Sequence, residues 1–215
     1  MNIVVLISAN AEWRAIQPRF PQAEIQHSPF GEWFHLTPEA SHQITYFHGG
    51  WGKISAAATA QYVIDHFRPE LLINLGTCGG FEGHIKTGTV ILVEKTIVYD
   101  IFEQMSDPDE ALSHYATDLD LSWLPKLATK TTDNGPLSVV RGLLVSGDRD
   151  ILVEDIPGLV SRFGAVAADW ESGAIAWVAA RNHVRCLILR GVSDLVGSGG
   201  GEAYGNIDLF QQRTN

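Results

Sequence analysis

Leu71-Leu72-Ile73-Asn74-Leu75, followed at once by Gly76-Thr77-Cys78-Gly79-Gly80, sets a short apolar run against a glycine break. Such a run bounded by a turn signal reads as a buried strand. The glycines predict a tight turn whose backbone lets a ligand approach closely. The same unit recurs on both sides. Upstream, residues 3–8 form a β-branched strand, and Ala9 to Ile16 reads as a loop passing into a helix. Within 32–48, Ile44, Tyr46 and Phe47 suggest another strand, which Gly49-Gly50-Trp51-Gly52 ends. The Ala-rich segment from Lys53 to Phe67 predicts a helix that Arg68-Pro69 terminates.

Downstream, Val90 to Val98 and residues 138–145 have strand character, and Ser146-Gly147-Asp148 turns the chain. Residues 166–168 form a short strand. Trp170 to Asn182 is a helix with so few charges that it must be largely buried. Cys186 to Val192 is a strand ending in Ser193-Asp194, before a glycine-rich loop at 197–201. Residues 103–136 are the least regular. Asp107-Pro108-Asp109 and Asp133-Asn134-Gly135-Pro136 predict turns there, in a solvent-exposed excursion with one short helix. The alternation of strand, glycine turn and helix predicts an α/β fold: a single three-layer domain over 1–215, with a central mixed, mainly parallel sheet flanked by helices. Ligands of such sheets bind beyond the carboxyl ends of the strands, so the breaks at 76–80, 146–148 and 193–194 should share one rim.

Composition narrows the function classes. The 215 residues are 45% hydrophobic and 19% charged, which excludes a disordered chain. Lys+Arg is 15 against 25 for Asp+Glu, a formal charge of −10 with no basic run, which speaks against a nucleic acid polymer as partner. No stretch reaches the roughly 18 apolar residues of a membrane span, and the N-terminus lacks the basic segment and cleavage site of a leader. Cys78 and Cys186, far apart in apolar segments, fit a reduced cytoplasmic protein. His48, His84 and His183 lack paired ligand spacing, so no metal is expected.

Three acids stand out. Glu12 follows the first strand, Glu171 opens a nearly uncharged helix, and Asp194 closes the last apolar strand. Each has an ordinary reading, as a first-turn helix acid or a turn cap. An acid in apolar surroundings nevertheless needs a partner or a task, and three on one rim favour the task. The glycine cluster is neither a dinucleotide fingerprint nor a phosphate loop, because no helix with the required spacing and no G-K-[ST] follows it. Cys78 lies in that cluster and reads as small-residue packing, since a nucleophile needs an activating base beside it.

The ordered set of motifs resembles the purine nucleoside phosphorylase and nucleosidase superfamily, with its nearest likeness to bacterial methylthioadenosine/S-adenosylhomocysteine nucleosidases. The likeness rests on Ile3 to Glu12, Gly50-x-Gly52-Lys53, Asn74 to Gly80, Lys86-x-Gly88, Ser146-Gly147-Asp148, Asp169 to Ala176 and Arg190 to Asp194, in the family's order along nearly the whole chain. The resemblance implies a nucleoside phosphorylase-like fold and cleavage of an N-ribosyl bond without a cofactor. It implies that Glu12 activates water, that Glu171 holds the ribose hydroxyls, and that Asp194, supported by Ser193, protonates the leaving purine. Thr77, Cys78 and Gly79 would line the ribose and base. It also implies a homodimer.

The chemistry agrees. An oxocarbenium-like transition state with a poor leaving group wants an acid at the base and a base at the water. Phosphorolysis is the alternative, and it needs cationic donors for the phosphate. Family phosphorylases typically carry a Gly-Arg loop after the first strand and an arginine just before the glycine turn. This chain has Ser8-Ala9-Asn10-Ala11-Glu12 and Asn74 there, with Arg14 nearby, which favours water. A non-catalytic nucleoside-binding module would not need Glu12. Two positions depart from the nucleosidase pattern. Asp150 stands where an aromatic stacks on the base, and Trp170 stands where methionine is usual, as ligand contact or as core. After Ser193-Asp194 the family usually has a long helix, for which the residues up to Asn215 leave little room. Methylthioadenosine, S-adenosylhomocysteine, adenosine, inosine and futalosine-like nucleosides are all candidates.

Overall fold

The computed structural model describes residues 1–39, 42–125 and 138–214. The turn expected at Asp133 to Pro136 lies outside them. The chain runs β1 (Asn2–Ile7), α1 (Asn10–Ile16), β2 (Gln26–Ser28), β3 (Gly31–Glu39), β4 (His42–His48), α2 (Lys53–Phe67), β5 (Leu71–Phe81), β6 (Val90–Val98), α3 (Pro108–His114) and β7 (Thr117–Asp118). It continues with β8 (Val139–Ser146), α4 (Ile156–Phe163), β9 (Ala167–Asp169), α5 (Ser172–Arg181), β10 (Arg185–Gly197), β11 (Gly200–Gly201) and α6 (Ile207–Thr214).

The strands form one mixed sheet, ordered β11-β10-β6-β8-β9-β5-β1-β4-β3-β2. Its two longest ladders are parallel, β10 on β5 and β8 on β6, and β1 pairs parallel with both β4 and β5. β10 pairs with both β5 and β6, so β5, β10, β6, β8 and β9 close into a ring. That closure was not legible in the strand pattern. It arises because β5 and β10 are long enough to bend and keep a partner on each edge.

Helix α2 begins where Gly52 adopts φ 86° and ends where Arg68 takes the left-handed conformation, φ 49°. Arg68-Pro69 therefore stops the helix as the sequence expects. The small faces of α2 (Ala56, Ala60, Val63) and α5 (Ala174, Ile175, Val178) pack with Val4, Leu6, Leu72 and Ile188 of the sheet in the largest core cluster. Trp13 and Phe34 anchor a second cluster under α1. Phe81, Val145, Ile151 and Val196 build a third, against α4. The expected excursion over 103–136 holds its short helix, α3, in which the Asp107 carboxylate accepts from the Asp109 amide.

Two expectations are corrected. Gly76 to Gly80 is no tight turn, because β5 runs through it to Phe81. The last strand likewise does not end at Ser193-Asp194 but continues to Gly197. The two extensions are one feature: Arg190 to Val196 pairs with Gly76 to Phe81, so each gives the other's backbone its hydrogen bonds. A one-residue shift in register falls between Val192 and Asp194, with Val192 opposite Cys78 and Asp194 opposite Gly79. Neighbouring residues on a strand face opposite ways, so the shift turns Asp194 away from the face that carries Arg190 and Val192.

Candidate active site

A cavity of about 500 Å³ opens at the rim of the sheet. Glu12, Thr77, Cys78, Gly79, Trp170, Glu171, Ser193 and Asp194 all line it, so the structure brings every expected site residue to one place.

Glu12 sits in the first turn of α1, where its Oε2 accepts from the Ala9 amide at 3.1 Å. It therefore closes the helix start, as its ordinary reading expects. Its other oxygen has a different engagement. Oε1 accepts from the Thr77 amide at 2.6 Å and from the Thr77 hydroxyl at 2.9 Å. These contacts fix the carboxylate between β1 and β5. A smaller cavity, of about 260 Å³, meets the first at Glu12 and Thr77 and includes Arg19 in its wall. Arg14 is exposed and lines neither cavity.

Glu171 precedes α5, and its Oε1 accepts from the Gly52 amide at 3.0 Å, so it is not a first-turn acid. Burial pushes its pKa up to about 7, against the pull of the Arg190 guanidinium. Asp194 lies within β10, not at a turn cap. Burial raises its pKa too, opposed by the Ser193 hydroxyl, which donates to Oδ1 at 2.6 Å. Burial also raises the Cys78 thiol, which keeps it neutral and leaves it a packing residue at 4% exposure.

Behind the acids lies a cluster to which the sequence reading gave no role. Arg190 is fully buried. Its Nη2 is 2.8 Å from Asp169 Oδ2 and 3.6 Å from Glu171 Oε2, and it donates to Asn74 Oδ1 at 2.7 Å. Nε donates to the Ser172 hydroxyl at 2.9 Å. Nη1 has no hydrogen-bond partner and points toward Glu12 Oε1, 4.0 Å away. Burial works against this charge, but the carboxylates of Asp169, Glu171 and Glu12 outweigh it and hold the guanidinium above its usual pKa. Asp169 is itself bound by the hydroxyls of Ser146 and Ser172 and by the Ser172 amide. One signal was available: an arginine inside the apolar strand 186–192 needs buried counter-charges. Gly76 makes room for this cluster, since a Cβ there would lie 2.0 Å from Arg190 Nη1 and 2.7 Å from Glu12 Oε1.

The other wall comes from the end of the chain. Ala203, Tyr204, Asn206, Ile207 and Phe210 face the cavity. Arg213 of α6 donates to the Ser193 carbonyl at 3.1 Å and pairs with Glu202, tying this wall to Asp194. Asp150, where an aromatic would stack, is exposed at the cavity edge beside Arg149, which pairs with Asp155 at 3.2 Å. Tyr204, whose hydroxyl donates to the Ile151 carbonyl at 3.0 Å, and Phe210 also line the cavity. Trp170 both lines the cavity and packs edge-on against Trp51, with centroids 5.6 Å apart, so contact and packing coexist in it.

The family model described as the phosphorylase superfamily matches residues 3–215. The chain belongs to the phosphorylase superfamily. Among curated members, it is similar to the 5'-methylthioadenosine/S-adenosylhomocysteine nucleosidase of Bacillus cytotoxicus, 26% identical over 205 residues, covering 92% of this chain and 87% of the relative. The nucleosidase of the same name from Buchnera aphidicola is 28% identical over 158 residues, 72% of this chain and 68% of the relative. Among solved structures of the superfamily, the Helicobacter pylori nucleosidase bound to butyl-thio-DADMe-Immucillin-A superposes with a TM-score of 0.82 at 19% identity, covering 100% of this chain and 93% of that one.

Proposed function

We propose that this superfamily member hydrolyses the N-glycosidic bond of a purine nucleoside of the 5'-methylthioadenosine/S-adenosylhomocysteine kind, releasing free base and the ribose moiety. One observation carries the reading: three carboxylates in three different settings converge on one cavity. Glu12 activates water. It accepts hydrogen bonds from Thr77 and keeps lone-pair capacity toward the cavity, while Arg190 lies behind it. Glu171 accepts the ribose 2'- and 3'-hydroxyls and offsets positive charge on the sugar. Asp194 is the general acid at the purine, and its raised pKa suits proton donation. Ser193 orients it, Thr77, Cys78 and Gly79 line the sugar and base, and Trp170 contributes an apolar face.

Phosphorolysis fits less well. A phosphate beside Glu12 would meet a carboxylate, and the Arg190 guanidinium is already held by Asp169, Asn74 and Ser172. The relatives' names support hydrolysis as well. Incubating the protein with a panel of nucleosides, with and without phosphate, and following base release by chromatography tests the reading. Release without phosphate is expected. Release only with phosphate makes the protein a phosphorylase, and no release with retained binding makes it a binding module.

A homodimer is part of the proposal. Trp51, Ile54, Phe102 and Met105 are 60%, 84%, 85% and 97% exposed, apolar side chains suited to being covered by a second copy of the chain. Sedimentation should give twice the chain mass. The free, buried cysteines support a reducing, cytoplasmic setting.

A further inference from the structure

We propose that Asp148 is a positioning residue: it fixes the turn into α2 so that the Gly52 amide is aimed at Glu171 and sets that carboxylate for the ribose hydroxyls. The inference rests on the nucleosidase reading, in which Glu171 holds the sugar.

Helix α2 starts without a cap of its own. Gly52, in the cap position, has no side chain, and the first turn carries no acid. The Lys53 amide is therefore a donor with no partner inside the helix. Asp148 takes the place of the cap from 95 residues away, its Oδ1 accepting from the Lys53 amide at 2.7 Å. A carboxylate there serves both the free amide and the helix dipole. The preceding amide serves a different carboxylate: Gly52 donates to Glu171 Oε1 at 3.0 Å. Two consecutive amides can supply two carboxylates because Gly52 holds φ 86° and ψ 158°, a conformation that side chains disfavour.

Asp148 is itself held. Its amide donates to Asp100 Oδ2 at 2.9 Å, and the other Asp100 oxygen pairs with the Lys53 ammonium. Lys53 is thus tied at its backbone by Asp148 and at its side chain by Asp100. The motifs Gly50-x-Gly52-Lys53 and Ser146-Gly147-Asp148, to which the mechanism gives no task, close on each other with Asp100 between them.

The gain falls on Glu171. Its Oε1 is fixed by the Gly52 amide, and its Oε2 faces the Arg190 guanidinium at 3.6 Å. Two neighbouring ribose hydroxyls need both oxygens in one fixed plane, so a carboxylate held at only one of them is a poorer site. The charged groups facing Glu171 are Arg190 of β10, Asp169 of β9 and Glu12 of α1. Burial, Asp169 and Glu12 favour its neutral form, while Arg190 and the Gly52 amide favour the ionised one. Letting the amide swing away therefore moves the Glu171 titration to higher pH.

The test compares the whole protein with Asp148→Ala and with Asp148→Asn, whose amide oxygen can still accept from Lys53. Asp148 is exposed, so neither change disturbs the core. Calorimetry in an Asp194→Asn background, where nucleoside survives, reads the affinities for 5'-methylthioadenosine and for free adenine. Carboxyl-labelled NMR reads the Glu171 titration, with Glu171→Gln identifying its signal. Asp148→Ala is expected to bind the nucleoside about tenfold more weakly with adenine affinity unchanged, and to titrate Glu171 at higher pH. Asp148→Asn should keep most of the nucleoside affinity. A Glu171 titration that does not move in Asp148→Ala overturns the proposal. So does unchanged nucleoside affinity, equal weakening of nucleoside and adenine, or a loss in Asp148→Asn as large as in Asp148→Ala. The titration needs neither ligand nor turnover. A parent that releases no base from any nucleoside, with the Glu171 shift present, therefore leaves the link from Asp148 to Glu171 standing and overturns the nucleosidase reading alone.

Discussion

Behind Glu12 and Glu171 the cavity wall is a buried ion cluster, whereas around Asp194 it is hydrogen bonds and one exposed ion pair on a short helix. On the first side, Arg190 faces five groups contributed by α1 (Glu12), β5 (Asn74), β9 (Asp169), the residue before α5 (Glu171) and α5 itself (Ser172). On the second, Ser193 bonds to its neighbour Asp194, the partly exposed Tyr204 donates to the Ile151 carbonyl, and Arg213 reaches in from a helix with no buried residue. The two constructions suit the two proposed tasks. A group that must bear charge beside a cationic sugar is held by fixed charges. A group that must gain and lose a proton is better left without a strong counter-ion, which would pin its ionisation.

Asp194→Asn is the sharpest way to test the contrast. It should lower base release by about 10²–10⁴-fold with folding unchanged, measured as kcat alongside thermal unfolding. Glu12→Gln should lose activity on the same scale yet still bind nucleoside, and equal turnover in variant and parent would remove Glu12 from the mechanism. Arg190→Leu should behave differently. It leaves Asp169 and Glu171 buried without their cation, so unfolding free energy should fall by about 3–5 kcal/mol, read by denaturant titration. Stability lost at Asp194 but not at Arg190 would invert the comparison.

Glu171 supplies a smaller, pH-dependent test. Its folded pKa of about 7 lies above the unfolded value of 4.5, so the folded state holds the proton more tightly. That contribution to stability is full below about 4.5 and is lost as pH rises through about 7. Glu171→Gln should therefore gain stability relative to the parent across that window. Nucleoside affinity of the parent should move the opposite way, strengthening as the carboxyl ionises. The least effect belongs to the exposed wall. Arg213→Ala should cost no more than about 1 kcal/mol of stability, because its pair with Glu202 is largely solvated.

Most of the sheet was legible in the sequence, because apolar runs and glycines carry local signals; the three acids stood out by their apolar surroundings, whereas Thr77, Cys78, Gly79 and Ser193 were pointed to by the family resemblance alone. What was illegible depends on partners far along the chain. β5 and β10 extend beyond their apolar runs because each completes the other, and no window on one strand contains that information. Arg190 opens the motif that runs to Asp194, but its carboxylate partners lie on β9 and before α5, so only the fold joins them. The cavity wall formed by Tyr204 and Phe210 was missed for another reason. Tyr204 and Phe210 lie in a polar, glycine-rich segment where aromatic residues have no periodicity to reveal which way they point.

Gly76 carries a consequence for how this sequence can change. Any side chain there collides with both Arg190 and Glu12, so no single substitution at the position is harmless. A saturation library at codon 76 should return glycine alone among active clones. Variants that accept alanine should need a second change at 190, and that change forfeits the cation behind the acids. The position is an epistatic lock, in which what residue 76 can become is decided by what stands at 12 and 190.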